Sequence, residues 1–309
     1  MPSIAEAAFS MTSIAVCIPT YNRPEELANL LGSIAPGVRV YVSDNGGLLA
    51  QDFRDRFPSV TFKTSGAAPV GMFPNWNLAA RMADTDWLIV PSDDDIYYPH
   101  SFDEISAAID RTPSAGIVIF GHHIVGESYE VLETWQPEPG VMRAPDGFEP
   151  FKYGVNARMP SVAIRRSAIE QLRYFDERFV YTASDSDLVQ RALLSFDAAF
   201  VPTVVSGYRV WQRSATHSTL ATPQWMEEID YWGAKIEGLL KKVPKYSREA
   251  RKIHAELYAT NLLAGLGLLR RQGAGKACRT HFRRSRYPIG ARWKTQLRIL
   301  YQIVRSART

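Results

Sequence analysis

The stretch Asp86–Pro99, D-W-L-I-V-P-S-D-D-D-I-Y-Y-P, limits what this chain can fold into more than any other. Trp87 to Val90 is an apolar run of strand length, followed after Pro91 and Ser92 by the consecutive carboxylates Asp93, Asp94 and Asp95. Adjacent negative charges repel, so a fold keeps them only where water solvates them or a cation gathers them. A buried strand with such an end belongs in an open α/β sheet, whose ligands bind at the carboxyl ends of its strands. Oxygen donors there suit a hard divalent ion, Mg2+ or Mn2+, with a phosphate on its open side. The plainer alternative is a solvated acidic turn capping a helix that begins near Ser101.

The neighbouring segments supply the rest of such a sheet. Ser13–Pro19 reads as a buried strand, and Pro24, Glu25 and Glu26 open a helix to about Ile34, since proline costs no needed hydrogen bond there and acids meet the dipole. Arg39–Ser43 and Val60–Thr64 read as further strands, with helices near Gln51–Phe57 and Phe73–Met82 between them. Alternation at these spacings predicts a mostly parallel sheet with helices on both faces. Beyond it, Ser101–Arg111 reads as helix, Gly116–Phe120 as strand, Glu127–Pro160 as loops and edge strands, and Phe200–Val205 as strand. Ser206–Pro223 reads as a loop, after which the composition turns helical.

Polar residues follow separate strand ends: Thr20-Tyr21-Asn22-Arg23, Asp44-Asn45 and Ser92–Asp95. In a parallel sheet these ends share one edge, so the groups converge although far apart in sequence. A carboxylate such as Asp44 can accept from a base N–H, Tyr21 can cover a base or sugar, and the aspartate cluster can hold a metal that neutralises phosphates.

A chain of 309 residues, 46% hydrophobic, can bury one large core or a core plus an appendage. The expected division is an N-terminal extension 1–12, an α/β domain 13–223 with a nucleotide-binding half 13–100 and an acceptor half 101–223, and a helical basic region 224–309. The net charge is +4, and its excess is uneven: from Arg270 onward twelve Lys and Arg residues occur with no Asp or Glu. Cys17 and Cys278 suggest neither a disulfide framework nor a zinc site, which fits a reducing cytoplasm. No secretory leader is evident, and Leu257–Leu269 is too short to span a bilayer, so any membrane attachment is peripheral. In the last helix Trp293, Leu297, Leu300, Tyr301 and Val304 share one stripe, while Lys294, Arg298 and Arg305 fall elsewhere. That stripe either packs on the body or lies on an anionic membrane surface. No nucleic-acid motif accompanies it.

As an ordered set, these motifs resemble the family 2 glycosyltransferases of the GT-A fold. The matching residues are I-P-T-Y-N-R (Ile18–Arg23), V-S-D-N-G (Val42–Gly46), Asn77, S-D-D-D-I-Y-Y-P (Ser92–Pro99), and F-D-E-R (Phe175–Arg178) followed by S-D-S-D-L-V-Q-R (Ser184–Arg191). The resemblance covers roughly Ser13–Pro202. It implies a Rossmann-like nucleotide-diphospho-sugar transferase in which Thr20, Tyr21, Asn22 and Arg23 line the nucleotide pocket, Pro19 turns the chain into it, and Asn77 and Asp93 adjoin it. Asp44 would contact the base, most often uracil. Aligned through Pro99, the family's D-x-D falls on Ser92-Asp93-Asp94 and makes Asp94 the metal ligand; a second register, Asp93-Asp94-Asp95, moves the metal to Asp95. Asp185 would be the general base of an inverting, single-displacement transfer, and Arg209, Arg213 and His217 would sit in a loop closing over the diphosphate. Ser92 and Ser184 depart from the family pattern, the second suggesting a different acceptor side.

The function so implied is metal-dependent, with Mn2+ or Mg2+, and moves a sugar from a nucleotide donor, most simply a UDP-sugar, to a glycan or lipid-linked acceptor. Lacking the Q-x-x-R-W motif and membrane helices of processive members, the chain is expected to add one sugar per encounter. Two competing readings are a catalytically silent sugar-nucleotide or glycan-binding module, and a sugar-phosphate nucleotidyltransferase. The latter usually carries a glycine- and basic-rich loop after the first strand, which Pro19–Pro24 is not.

Overall fold

The structure, a computed structural model, describes residues 13–211 and 219–306. Strand β1 (Ile14–Thr20) is buried along its whole length because helices cover both faces of the sheet. Ala15 and Cys17 enter one core while Val16 and Ile18 enter the other, as strand alternation requires. It pairs in parallel with β2 (Arg39–Asp44) and β4 (Trp87–Ile89), and β2 pairs in parallel with β3 (Val60–Thr64).

The helix after β1, α1 (Pro24–Ser33), has proline in its first turn with Glu25 and Glu26 beside it. It buries Leu27, Leu30 and Leu31 on one stripe, each contributing roughly 2 kcal/mol of apolar burial. Helix α2 (Gln51–Asp55) leads into β3, and α3 (Met72–Ala80) lies on the opposite face from α1.

The second half is mixed. β5 (Ile96–Tyr97), α4 (Ser101–Arg111), β6 (Ile117–Val125), β7 (Val131–Trp135) and β8 (Gly140–Met142) precede β9 (Val162–Arg165), which runs antiparallel between β4 and β6. Helices α5 (Arg166–Gln171) and α6 (Ser184–Ser195) lead to β10 (Ala198–Arg209). The sheet runs β3-β2-β1-β4-β9-β6-β10-β5, with β7 on β6 and β8 on β10. The parallel arrangement therefore holds for the β3-β2-β1-β4 half, and β10 with β6 forms a second parallel pair.

Two strands outrun their apolar segments. β10 continues through Ser206–Arg209, where a loop was expected, because these residues pair with His122–Val125 of β6 across register shifts near Val204. Polar letters mark neither strand's end because sheet partners satisfy their backbones. The pairing also carries Arg209 to the edge where the aspartates emerge.

The C-terminal helices are α7 (Pro223–Leu240), α8 (Ala250–Arg271), α9 (Gly275–Arg284) and α10 (Trp293–Ser306). Trp225, Ile229, Trp232 and Ile236 of α7 share a core with Ala15, Cys17 and Leu88 of the sheet. Lys235 of α7 adds an ionic tie, lying 2.8 Å from both Asp176 and Asp187. Among the described residues no helix is long and apolar enough to cross a membrane.

Candidate active site

The aspartate triplet is enclosed rather than solvated: Asp93, Asp94 and Asp95 are all buried. It does not cap α4 either, whose N-cap residue is His100 and has no side-chain cap bond. What holds the charges is a cation from the first loop. Nη1 of Arg23 donates to Oδ1 of Asp93 at 3.1 Å and to Oδ2 of Asp94 at 3.2 Å. Thr20 Oγ1 donates to the other Asp93 oxygen at 2.8 Å, and Trp211 Nε1 donates to Oδ2 of Asp94 at 2.8 Å. The Arg23 guanidinium also lies 5.0 Å above the Trp211 ring. Burial and the Asp94 charge push the Asp93 carboxyl up to about 6, and burial raises Asp94 as well.

Asp95 faces the other way. Its oxygens accept from the backbone N–H of Ser92 at 2.8 Å and of Arg209 at 3.3 Å, so it closes its own loop and ties it to β10. That geometry departs from a metal ligand's: a fully buried carboxylate occupied by backbone donors has no face toward the ligand space.

Further expected contacts are likewise turned inward. Asp44, expected at the base, is fully enclosed: its oxygens accept from Leu48 N and Leu49 N at 3.0 Å each and from Arg54 Nη2 at 2.7 Å. Asn77 is buried and bonds Phe175 and Glu177, pinning the F-D-E-R segment to α3. Asn22 is exposed at a left-handed turn, φ 52°, and shapes the loop rather than lining the hollow. Asn45 and Asn75, one and two residues from those positions, do face it.

The remaining groups share one hollow of about 550 Å3. Pro19, Thr20, Tyr21 and Arg23 line it from β1, Asp93 and Asp94 from β4, and Asp185 from α6. Tyr21 is 54% exposed, free to cover an incoming planar group. Asp185 stands in the first turn of α6, where Ala183 at φ 65° turns the chain and the helix dipole favours an anion; its Oδ1 accepts from Ser186 N at 2.7 Å. Arg213 and His217 lie outside the described residues. A larger hollow of about 720 Å3, beside Leu269, Gly275 and Arg279, has no carboxylate in its lining among the described residues.

Two cations of this hollow come from unexpected places. Arg158, from a stretch without clean periodicity, stacks 4.9 Å over the Tyr208 ring, and Arg209 lies on a strand instead of a loop. The Nε atoms of both are buried without a partner among the described residues. Burial pushes the Tyr208 hydroxyl up to about 12, with Arg158 opposing and Asp95, Asp185 and Asp94 adding to it, so the phenol stays protonated between the two acidic walls.

A profile described as "Glycosyl transferase family 2" matches residues 15–173, over half the chain. The chain belongs to glycosyl transferase family 2. It is accordingly a glycosyltransferase, and its fold recurs in solved GT-A structures. Residues 1–349 of S. aureus TarS in complex with UDP-GlcNAc superpose at TM-score 0.62 and 16% identity, over 96% of this chain and 88% of that one. The same TarS fragment with UDP gives 0.61 at 14% identity and the same coverage. The mannosyltransferase PcManGT from Pyrobaculum calidifontis, in complex with GDP-Man and Mn2+, gives 0.52 at 16% identity, over 96% and 87%. No curated protein sequence matches this family 2 chain.

Proposed function

We propose that this glycosyltransferase moves a sugar from a nucleotide-diphosphate donor, a UDP-sugar, to a glycan or lipid-linked acceptor by inverting displacement, one sugar per encounter, on the cytoplasmic side. One observation carries this reading: paired carboxylates, a separate carboxylate and two guanidiniums line a single hollow at the strand ends. The UDP, UDP-GlcNAc, GDP-Man and Mn2+ named for the fold neighbours support the donor class and the metal.

The residues fit a divalent ion of limited protein ligation. Among the described residues no third Asp, Glu, His or Cys gathers with Asp93 and Asp94. Mn2+ or Mg2+ commonly takes one or two carboxylates and completes its shell with phosphate oxygens and water. Asp94 would hold it, with Asp93 beside it; Asp95, bonded to backbone, favours the Ser92-Asp93-Asp94 register. When bound, the ion supplies charge neutralisation of the leaving diphosphate.

The protein's own groups do the rest. Tyr21 covers the base, while the Arg158 and Arg209 guanidiniums lining the hollow meet the diphosphate charge. Asp185 accepts the proton of the acceptor hydroxyl as its oxygen bonds to the anomeric carbon. The bond from that carbon to the diphosphate breaks on the opposite side, and the configuration inverts.

The test is a thermal-shift screen of UDP- and GDP-sugars with and without Mn2+, followed by NMR of the anomeric product. Stabilisation by a UDP-sugar that grows with Mn2+, and an inverted linkage, are expected. Binding without hydrolysis or transfer in any acceptor mixture would instead favour a silent module.

A further inference from the structure

The last helix is seated opposite to what its apolar letters suggest. Thr295, Ile299 and Ser306 are its buried residues, and Thr295 and the Arg292 backbone bond the buried Glu256 of α8. Arg270 and Arg279 clasp its other end through Gln302 Oε1 and the Ser306 carbonyl. The stripe of Trp293, Leu297, Leu300, Tyr301 and Val304 lies roughly 180° around the helix from that seat, given 3.6 residues per turn. It faces outward: Trp293 is 66% exposed, Val304 62% and Leu297 54%. Lys294 and Arg305 flank it, resting over the Trp293 and Tyr301 rings at 5.7 and 5.3 Å.

We infer that this outer face of α10 docks on an anionic lipid bilayer, the apolar stripe entering the headgroup boundary while Lys294, Arg298 and Arg305 meet lipid phosphates. A contiguous apolar face on a helix already anchored on its inner side, by polar bonds and by Ile299 in the core, is unusual for a surface exposed only to water. Charge selects the occupant. From Arg270 to Thr309 there is no acidic residue, so a second copy docking through this face would bring like charges together, whereas anionic headgroups complement them. Trp and Tyr have the amphipathic rings favoured at that boundary. The inference adds a membrane partner to the proposed lipid-linked acceptor, but the docking does not depend on the transfer chemistry.

The full chain is sedimented with vesicles of phosphatidylcholine alone and of phosphatidylcholine mixed with phosphatidylglycerol. Pelleting with the anionic vesicles only, reversed by salt, is expected. Trp293→Ser/Leu297→Ser/Val304→Ser abolishes it, and Lys294→Glu/Arg298→Glu/Arg305→Glu weakens it roughly hundredfold or more. Both variants keep the wild-type melting temperature and UDP-sugar binding, since these side chains leave the core untouched. Asp94→Asn and Asp185→Asn pellet like wild type, so loss of transfer chemistry and loss of docking are separate outcomes. Wild type that stays in the supernatant with anionic vesicles, or serine variants that still pellet, overturns the inference. So does a vesicle-free dimer that the serine substitutions dissolve, which would make the occupant another copy of the chain.

Discussion

The Arg23 guanidinium lies 3.2 Å from Oδ2 of Asp94, an oxygen that also accepts from Trp211 Nε1 at 2.8 Å. A divalent ion at Asp94 must therefore compete with a resident cation and its stacked indole. Arg23→Gln should tighten donor-free Mn2+ binding about tenfold, the loss of roughly 1.4 kcal/mol of competing attraction. Electron paramagnetic resonance of free Mn2+ reads this directly, and Asp94→Asn should abolish the binding. Unchanged affinity in the glutamine variant would show that guanidinium and ion do not share the site.

Asp185 is the hollow's carboxylate on the α6 side, away from the Asp93–Asp94 pair. Asp185→Asn preserves its size and its bond with Ser186 N, yet cannot take a proton. Turnover should fall about 10³-fold, with donor affinity within about twofold of wild type. Loss of donor affinity, read by calorimetry, would reassign the residue to binding.

The enclosed Asp44 carboxylate, bonded to Leu48 N, Leu49 N and Arg54, is placed to brace its turn, and the brace and base-contact roles predict different phenotypes. Asp44→Ala strands Arg54 and two backbone N–H groups, which should cost about 3 kcal/mol in urea denaturation. UDP affinity of the fraction that stays folded should change little. Full stability with lost UDP binding would restore the base contact.

Asp176 links pH to the seating of α7. Burial disfavours its charged form, but hydrogen bonds from Arg178, Lys235 and Tyr231 outweigh this and hold the carboxyl well below its ordinary 3.8. A carboxyl depressed in the folded state adds stability above its unfolded value, and the contribution drains away as pH falls below about 4. Asp176→Asn should cost about 2 kcal/mol at pH 7 and progressively less toward pH 3. Chemical denaturation across that range checks the convergence; a constant difference between the two proteins would contradict it.

Local patterns in the chain were enough to specify the strands of the parallel half and most helices, because apolar period, proline placement and charge in the first turn act between near neighbours; β5, α9 and the far half of β10 were not legible that way. They also specified that polar loops meet at one edge of a parallel half-sheet, since strand direction alone orders those ends. Which way each side chain faces was decided by the tertiary structure. Asp94 and Asp95 are adjacent and chemically identical, yet one opens on the hollow and the other is consumed by backbone donors from its own loop and from β10. Asp44 turned inward because Arg54 and the following turn took up its oxygens, and Asn77 because Phe175 and Glu177 did. Arg158 carried no readable signal, since its place over Tyr208 depends on β6, β9 and β10 assembling first. The stripe of α10 was legible as amphipathic, but periodicity measures only that a helix has two faces. The bonds of Glu256, Arg270 and Arg279, with Ile299 packed into the core beside them, determined which face was turned to the body and which was left exposed.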